Sequence, residues 1–260
     1  MSVGRIVGNF IMAKTLILIP SRMAATRLPG KPLLKINNLS IVSHVFKRAE
    51  EANIGEVVVA TEDQEILEDV LRNGGKAVLT SNDHKTGTDR IFEAFQKLNI
   101  KNIDYILNLQ GDEPNIDKSD IINLNNLMIN SKSEIGTLAA IIQHDKILND
   151  KNVVKVITEN KLEKNNFPTA VNFIRGNSLI DNQNIYHHIG IYSYKISALE
   201  KFVRLDQTHR EKKNKLEQLR ALDNKLKINV ALAKSSPIGV DTEEDYLAIK
   251  KIMEHKISNE

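Results

Sequence analysis

The chain contains no cysteine and no tryptophan, and aromatic residues make up only 5% of its 260 residues. The lack of cysteine excludes disulfides, thiolate metal sites and cysteine nucleophiles. The scarcity of aromatic residues argues against a base-stacking platform for single-stranded nucleic acid. The 36 basic residues exceed the 33 acidic residues by three, which is far from the concentrated basic footprint of a nucleic-acid binder. The composition therefore predicts no nucleic-acid partner.

Long hydrophobic runs are also lacking. No apolar run approaches the ~20 residues that cross a bilayer, so we expect no membrane insertion. The first dozen residues carry one basic residue, Arg5, and no small-residue cleavage site follows, which argues against a signal peptide. We therefore expect a cytoplasmic protein. Residues 1–13 are interpreted as an extension that is either disordered or upstream of the true start.

The first half of the chain alternates short apolar segments with amphipathic ones. The apolar segments predict strands, and the amphipathic segments predict helices. The strands are expected at 15–20, 56–61, 76–80 and 104–110, and the helices at 40–52, 63–73 and 91–98. Strands that alternate with helices of this length indicate βαβ units and a parallel sheet with helices on both faces.

From about residue 131 the pattern changes to successive extended segments. Segments 135–142 and 152–158 are interpreted as adjacent strands, with a turn at 159–161, and 170–174, 189–194 and 230–233 are further strands. Thr242 is expected to open a last helix with Asp245 as its capping-box partner. We predict a single α/β domain over residues 14–260, with an antiparallel insertion at about 131–225.

The loop after the first strand, residues 20–33, is the first candidate site. It carries Arg22, Arg27 and Lys31 at the edge where open α/β sheets bind ligands. Arginine binds phosphate oxygens as a planar fork and lysine binds them as a point charge. The loop is not a P-loop, because the glycine pattern is absent and Lys31 precedes proline. A polyphosphate site and a solvated loop both fit these residues.

Two aspartates follow other predicted strands. Asp112 comes after the strand at 104–110, beside Gly111, and Asp241 comes just before the last helix. Carboxylate oxygens suit Mg²⁺, which bridges to substrate phosphates. Taken alone, Asp112 also fits a simple turn and Asp241 also fits a helix N-cap. Two carboxylates from distant segments would suit a phosphoryl-transfer site.

Other patterns carry less information. His187 and His188 are adjacent strand residues, so their side chains point to opposite faces and do not bind one metal together. Residues 87–90 fit a helix cap or a ligand loop. The motifs of serine hydrolases, zinc proteases and dinucleotide-binding dehydrogenases are absent, so these classes lose their main support.

Seven sequence blocks occur in order from about residue 14 to the end of the chain. They are residues 26–33, 58–61, 87–90, 108–114, 188–194, 216–220 and 239–245. The most specific parts are Gln-Gly-Asp-Glu-Pro at 110–114, Gly-Ile-Tyr at 190–192 and Leu-Glu-Gln-Leu-Arg at 216–220. In these blocks the chain resembles the sugar-nucleotide cytidylyltransferases, and most closely the 3-deoxy-manno-octulosonate (Kdo) cytidylyltransferases.

This resemblance implies a Rossmann-like nucleotidyltransferase fold and a homodimer whose interface uses the insertion. It implies transfer of CMP from CTP to Kdo, an acid sugar, with release of diphosphate, for lipopolysaccharide biosynthesis. The implied catalytic residues are Arg22, Lys31, Asp112 and Asp241, and the two aspartates would hold Mg²⁺. The implied nucleotide-binding residues are Arg22, Arg27, Lys31, Arg90 and Gln110. The implied sugar-binding residues are Gln110, Arg175, His188, Tyr192, Glu217 and Gln218.

The sequence departs from the family pattern mainly on the sugar side. Ile174 stands where the family has serine before Arg175, and segment 176–186 lacks the usual Ile-Pro-aromatic pattern. Lys213 and Asn214 replace the usual Ile-Glu pair, and Ala25 replaces a serine near the phosphates. Two alternatives therefore stay open: a cytidylyltransferase for another acid sugar, such as a sialic acid, or a CTP-binding protein without catalysis.

Overall fold

The computed structural model describes residues 13–24, 27–176, 184–234 and 236–257. The strands are β1 (Thr15–Ser21), β2 (Lys35–Ile36), β3 (Leu39–Ser40), β4 (Gly55–Thr61), β5 (Ala77–Leu79), β6 (Tyr105–Asn108), β7 (Ile135–Ala140), β8 (Val154–Thr158), β9 (Ala170–Arg175), β10 (Ile185–Lys195) and β11 (Ile228–Leu232). The helices are α1 (Ile41–Glu51), α2 (Gln64–Arg72), α3 (Gly87–Leu98), α4 (Lys118–Ser131), α5 (Asp145–Asn149), α6 (Ile196–Val203), α7 (His209–Asn214), α8 (Gln218–Asp223) and α9 (Glu243–Ile257).

A mixed sheet forms the centre of the molecule, in the order β11-β7-β10-β6-β1-β4-β5. β1 pairs in parallel with β4 and β6, and β11 pairs in parallel with β7. β10 is antiparallel to β6 and β7, and it also pairs with β8, which pairs with β9. The predicted α/β fold, mainly parallel with an antiparallel part, is confirmed.

Helices cover both faces of the sheet, as the strand β1 shows. Its residues Leu16, Ile17, Leu18 and Ile19 are all fully buried. Because successive strand residues point to opposite faces, two separate apolar cores result. Leu16 and Leu18 pack in a core with residues of α3, α6 and α8, whereas Ile17 and Ile19 pack in a core with residues of α1, α2 and α4.

The helix starts follow local capping chemistry. Ser40 caps α1 by accepting a hydrogen bond from the backbone N–H of Ser43, as the predicted boundary requires. α3 begins at residue 87, four residues before its predicted start, because Thr86 caps it. The capping box of α9 is confirmed: Asp245 accepts a hydrogen bond from the backbone N–H of Thr242, and Thr242 Oγ1 accepts one from the backbone N–H of Asp245.

One predicted pair of adjacent strands is not adjacent in the sheet. β7 and β8 do not pair with each other, because β10 pairs with both. β10 is 11 residues long, so its first residues reach β8 while its last residues pair with β6. The interpretation of 135–142 and 152–158 as adjacent strands is therefore wrong in space.

Parts of the sequence-based interpretation fall outside the described residues. These parts are residues 1–12 of the extension, Ala25 in the first loop and residues 177–183 of the altered segment. The boundaries of the insertion, about 131–225, stay a prediction. Among the helices of the described ranges, none is long and apolar enough to span a membrane.

Candidate active site

A cleft of about 370 Å³ lies at the carboxyl ends of β1 and β6, beside the start of α3. Three loops line it: the loop after β1, the loop between β5 and α3, and the loop after β6. Asp241 from the segment before α9 completes it. Seven residues assigned by resemblance share this lining, namely Arg22, Arg27, Lys31, Arg90, Gln110, Asp112 and Asp241. The structure thus brings residues from four separate segments together at this edge of the sheet.

Lys31 links the two aspartates. Its Nζ lies 2.7 Å from Asp112 Oδ2 and 3.3 Å from Asp241 Oδ1. Arg27 also contacts Asp241, at 2.9 Å, but the Arg27 side chain is 59% exposed whereas that of Lys31 is only 14% exposed. Water screens exposed ion pairs strongly, so the Lys31 contacts are the stronger ones. The result is one ammonium between two carboxylates.

Backbone contacts fix this arrangement. Gly30, at φ +70°, takes the left-handed conformation that directs the chain into the short turn carrying Lys31. The backbone N–H of Val240 donates to the carbonyl oxygen of Asp112 at 2.9 Å, which brings the two aspartate segments together. Thr242, and not Asp241, caps α9. The carboxylate of Asp241 is therefore not used by the helix and faces the cleft.

Arg22 is an exposed cation of the cleft lining. It has no hydrogen-bond or ion-pair partner within the described part of the chain. The next residue holds the loop in place, because the backbone N–H of Met23 donates to Asp63 Oδ2 at 2.7 Å. The guanidinium is thus available for an anion.

Arg90 lines the cleft but is buried among protein partners. Its Nη1 donates to Thr80 Oγ1 at 2.6 Å and to the carbonyl oxygen of Ser81 at 3.2 Å, and its Nη2 bonds to Glu62. These contacts organise the loop between β5 and α3 and balance the charge of Arg90. Its assignment to nucleotide binding stays a prediction.

The loop between β5 and α3 also supplies cleft residues that sequence reasoning did not single out. His84, Lys85 and Thr86 line the cleft. His84 Nε2 bonds to Glu93 Oε2, and Lys85 is exposed. The only sequence signal was the polar run that precedes Gly87 after a predicted strand, and such a run is equally typical of an ordinary loop.

Two of the predicted sugar-side residues, His188 and Tyr192, are buried and bonded to each other, and a third, Glu217, is partly buried. His188 Nε2 lies 3.0 Å from Thr137 Oγ1 and 3.1 Å from Tyr192 Oη. Glu217 Oε2 accepts a hydrogen bond from Thr88 Oγ1 at 3.0 Å, in the first turn of α3. Since Thr86 and Gly87 line the cleft, Thr88 connects Glu217 to the cleft wall.

Burial shifts the pKa values of these groups. Desolvation, and secondarily the neighbouring His187, lower the pKa of His188 to about 3, so its imidazole is neutral near pH 7. Desolvation raises the pKa of the Glu217 carboxyl, against the opposing effect of Arg220. Desolvation also raises the pKa of the Tyr192 hydroxyl well above its usual value. The group therefore offers neutral hydrogen-bonding atoms from His188 and Tyr192.

Glu113 is a buried carboxyl that sequence reasoning missed. Burial, together with the charge of the adjacent Asp112, raises the pKa of Glu113 to about 8. Its Oε2 has no hydrogen-bond partner among the described residues. A glutamate directly after Asp112 was visible in the sequence, but its burial depends on the packing of the loop.

Arg175 and Gln218 are not brought into the cleft lining. Arg175 is exposed at the end of β9, where its Nη1 donates to the carbonyl oxygen of Asn152 at 2.8 Å. Gln218 is half-buried at the start of α8. Their assignments to the sugar stay predictions.

The donor set of the cleft fits Mg²⁺ bound together with a nucleotide. Asp112 and Asp241 both reach the same Lys31 nitrogen, so their oxygens lie close to each other. Over the described ranges, no group of three or more His, Asp or Glu residues could hold a metal by itself. Mg²⁺ typically takes one or two carboxylates and completes its shell with water and phosphate oxygens. Two aspartates are therefore a sufficient protein contribution.

Known proteins resemble this chain over almost its whole length. Residues 16–228 match the family model described as cytidylyltransferase. The 3-deoxy-manno-octulosonate cytidylyltransferase of Rhodopseudomonas palustris (strain BisB18) is 42% identical over 93% of this chain and 98% of its own. That of Afipia carboxidovorans is 44% identical over 92% of this chain and 96% of its own.

Solved structures resemble the fold as well. A CMP:2-keto-3-deoxy-manno-octonic acid synthetase, solved in complex with CTP, superposes with a TM-score of 0.85 at 32% identity, covering 94% of this chain and 100% of that one. An apo UDP-glucose pyrophosphorylase superposes with a TM-score of 0.71 at 13% identity, covering 94% and 99%. The second similarity concerns the fold alone.

Proposed function

Because the chain belongs to the cytidylyltransferase family, we propose that it transfers CMP from CTP to Kdo and releases diphosphate. The observation that carries the proposal is the cluster of Lys31, Asp112 and Asp241 in the cleft at the strand ends. The names of relatives more than 40% identical over nine-tenths of the chain support Kdo as the acceptor.

In this reaction the anomeric hydroxyl of Kdo attacks the α-phosphorus of CTP. A new oxygen–phosphorus bond forms, the bond to the bridging oxygen of the diphosphate breaks, and the hydroxyl proton is lost. The protein mainly positions the reactants and neutralises charge in such a transfer. We assign the binding of phosphate oxygens to Arg22, Arg27 and Lys31, which line the cleft.

We assign Mg²⁺ to Asp112 and Asp241. When bound, the metal neutralises charge on the phosphates and helps to orient them. Lys31 lies between the same two carboxylates and so holds them in proximity before the nucleotide arrives. Asp245 fixes the backbone of Asp241, whose N–H donates to Asp245 Oδ2 at 3.1 Å.

We place the sugar on the side of the cleft formed by Gln110. Gly190 of β10 lies against this residue, since a Cβ at Gly190 would be 3.5 Å from Gln110 Cγ. The neutral His188 and Tyr192, with Glu217 and Gln218, would bind sugar hydroxyls. The cationic Arg175 would bind the Kdo carboxylate, which an arginine fork suits.

We further propose that the protein is a cytoplasmic homodimer that serves lipopolysaccharide biosynthesis. Two large apolar side chains of the predicted insertion are exposed, Ile141 (60%) and Val171 (58%). Contiguous exposed apolar surface is typical of protein contacts, and these two are the most exposed large apolar side chains of the described residues. A second copy of the chain would cover these residues.

Diphosphate release tests the proposal. Purified protein with Mg²⁺ is assayed with CTP, UTP or ATP, each combined with Kdo or a sialic acid. We expect release only with CTP and Kdo. Release with CTP and sialic acid alone would move the chain to a sister activity, and CTP binding without release from either sugar would support the non-catalytic alternative that the altered segment 176–186 left open.

A further inference from the structure

The two sides of the nucleotide cleft differ in the charges that they carry. The loop after β1 carries Arg22, Arg27 and Lys31 beside the two aspartates assigned to Mg²⁺, and Arg22 has no acidic partner in the described ranges. On the loop between β5 and α3, Arg90 is paired with Glu62 and His84 with Glu93. Only the exposed Lys85 remains without an acidic partner there, among the residues described. The triphosphate therefore suits the first side, and the uncharged base suits the second.

Glu93 is held as a carboxylate by three donors. Partial burial by itself would raise its pKa, but hydrogen bonds from Lys97, His84 and the backbone N–H of Ser81 lower the pKa of Glu93 to about 2. Lys97 Nζ lies 2.6 Å from Glu93 Oε1, and the Ser81 nitrogen lies 2.9 Å from Glu93 Oε2. An ionised carboxylate can only accept hydrogen bonds.

This carboxylate sets the tautomer of His84. Because Glu93 only accepts, Nε2, the atom that contacts Glu93, carries a proton. In the neutral form of the imidazole this is the only ring proton. The lone pair is then on Nδ1. This atom has no partner among the described residues, and the side chain, 19% exposed, belongs to the cleft lining. With a neutral imidazole, the cleft thus has a hydrogen-bond acceptor at Nδ1 on the side that suits the base.

We propose that His84 Nδ1 accepts a hydrogen bond from the exocyclic amino group of cytosine and so selects CTP over UTP. The inference rests on the proposed function, which supplies CTP as the nucleotide. Cytosine carries an amino donor where uracil carries a carbonyl acceptor. With UTP, the lone pair of His84 Nδ1 would face the lone pairs of the uracil carbonyl oxygen. No hydrogen bond could form between these two acceptors, which disfavours UTP. In this account His84 contacts the nucleotide, and Glu93 is a positioning residue.

The test is equilibrium binding of CTP and of UTP by calorimetry, with Mg²⁺ and without sugar. We expect the wild-type protein to prefer CTP by at least about tenfold. His84→Phe keeps a ring without the acceptor and should lose most of that ratio. In Glu93→Gln the amide can donate to Nε2, which allows the Nδ1–H tautomer, so this variant should also lower the ratio.

Lys97→Gln is the matched control. It removes one ion pair of Glu93 and leaves the carboxylate and its bond to His84, so the CTP-to-UTP ratio should stay at the wild-type value. Nitrogen-15 NMR of the His84 ring gives a second readout. It should show a proton on Nε2 in the wild-type protein and in Lys97→Gln, and a changed tautomer population in Glu93→Gln.

Two results would overturn the inference. One is equal affinity of the wild-type protein for CTP and UTP. The other is an unchanged ratio in His84→Phe, or in Glu93→Gln if circular dichroism shows that His84→Phe does not fold. These measurements need no acceptor sugar, so they are independent of turnover. A lack of turnover with Kdo would refute the proposed activity, whereas the assignment of His84 depends only on the ratio of CTP to UTP affinity.

Discussion

At the scale of single residues, burial decides which groups carry charge in and beside the cleft. His188 is the clearest case, since it is buried next to Thr137 and Tyr192. Its neutral imidazole in the folded protein contrasts with the unfolded chain, where a histidine titrates near pH 6.5. This contrast makes stability depend on pH.

His188→Gln should reduce the loss of stability in acid. The pKa of His188 is about 3 when folded, so between this value and 6.5 only the unfolded chain binds the proton. Protonation of His188 in the unfolded chain therefore leaves the wild-type free energy of unfolding unchanged above about pH 6.5 and lowers it as the pH decreases. Between about pH 7.5 and about pH 4.5 the wild-type protein should lose roughly 2–3 kcal/mol more than the variant.

Urea unfolding of both proteins at the two pH values measures this difference. The wild-type protein and the variant share all other titrating groups. The contributions of these groups therefore cancel when the loss of unfolding free energy of one protein is subtracted from that of the other. Equal losses in the two proteins would show that His188 is not held neutral by the fold.

Asp112→Ala should abolish diphosphate release and leave the fold intact. Asp112 is partly exposed and contributes a carboxylate to the proposed metal site, so its loss removes a ligand rather than core packing. Turnover should fall by at least about 100-fold. Asp206→Ala is the control, because Asp206 is exposed and lies outside the cleft. Near-normal turnover of Asp112→Ala would remove the metal assignment.

The meeting of Lys31 and Asp112 could be predicted because both follow strands of a parallel sheet, whose carboxyl ends lie at one edge. Asp241 comes just before α9, and only the family resemblance joined it to the same site. The contacts of the Arg90 side chain could not be predicted from the sequence. Its partner Glu62 follows a different strand, β4, and no local pattern relates the two residues. The pairing of His84 with Glu93 was equally hidden, since the two residues lie nine positions apart, in a loop and in a helix, and no local pattern relates them.

At the scale of helices and strands, contacts between backbones limit what the sequence tolerates. Gly55 opens β4 in register with Thr15 of β1. A Cβ on Gly55 would lie 1.8 Å from the carbonyl oxygen of Thr15. Because that atom belongs to the backbone, the strands themselves would have to move apart.

Gly55→Ala should therefore destabilise the protein by about 1–3 kcal/mol, as overpacking does. Gly239→Ala is the control, because a Cβ there meets nothing within 4 Å, and its effect should stay within about 0.5 kcal/mol. Chemical denaturation of the three proteins gives both values. A Gly55→Ala variant as stable as the control would contradict the strand register described for β1 and β4.

Strands and helices with strong periodicity could be predicted, whereas α4 could not. Four of its 14 residues are asparagines, which favour caps and turns over helix interiors. The helix forms because Ile121, Leu124 and Met128 lie on one face and are fully buried against the sheet. Tertiary packing thus overrides local preference, and the sequence alone does not show where that packing surface lies.

At the scale of the whole molecule, the small net charge of +3 conceals a local arrangement of charges. Cations from the first loop and carboxylates from two other segments lie around one cleft. The two most exposed large apolar side chains of the described residues, Ile141 and Val171, lie elsewhere, on the predicted insertion. Catalysis and assembly would therefore use different surfaces.

Val171→Asp should convert a dimer into a monomer. Val171 is 58% exposed on β9, and a buried charge at an interface is costly. Leu71→Asp is the control, because Leu71 is 51% exposed on α2, which contacts β4 and β5 rather than the insertion. Sedimentation velocity should give a dimer for the wild-type protein and the control. A wild-type monomer, or a Val171→Asp dimer, would contradict the proposed interface.

The most direct test of the account follows phosphorus-31 NMR signals after the wild-type protein is mixed with CTP, Kdo and Mg²⁺. The account predicts that the three CTP signals disappear while one phosphodiester signal and the diphosphate signal grow in equal molar amounts. CTP signals that persist, in the presence of folded protein that binds CTP, would contradict it.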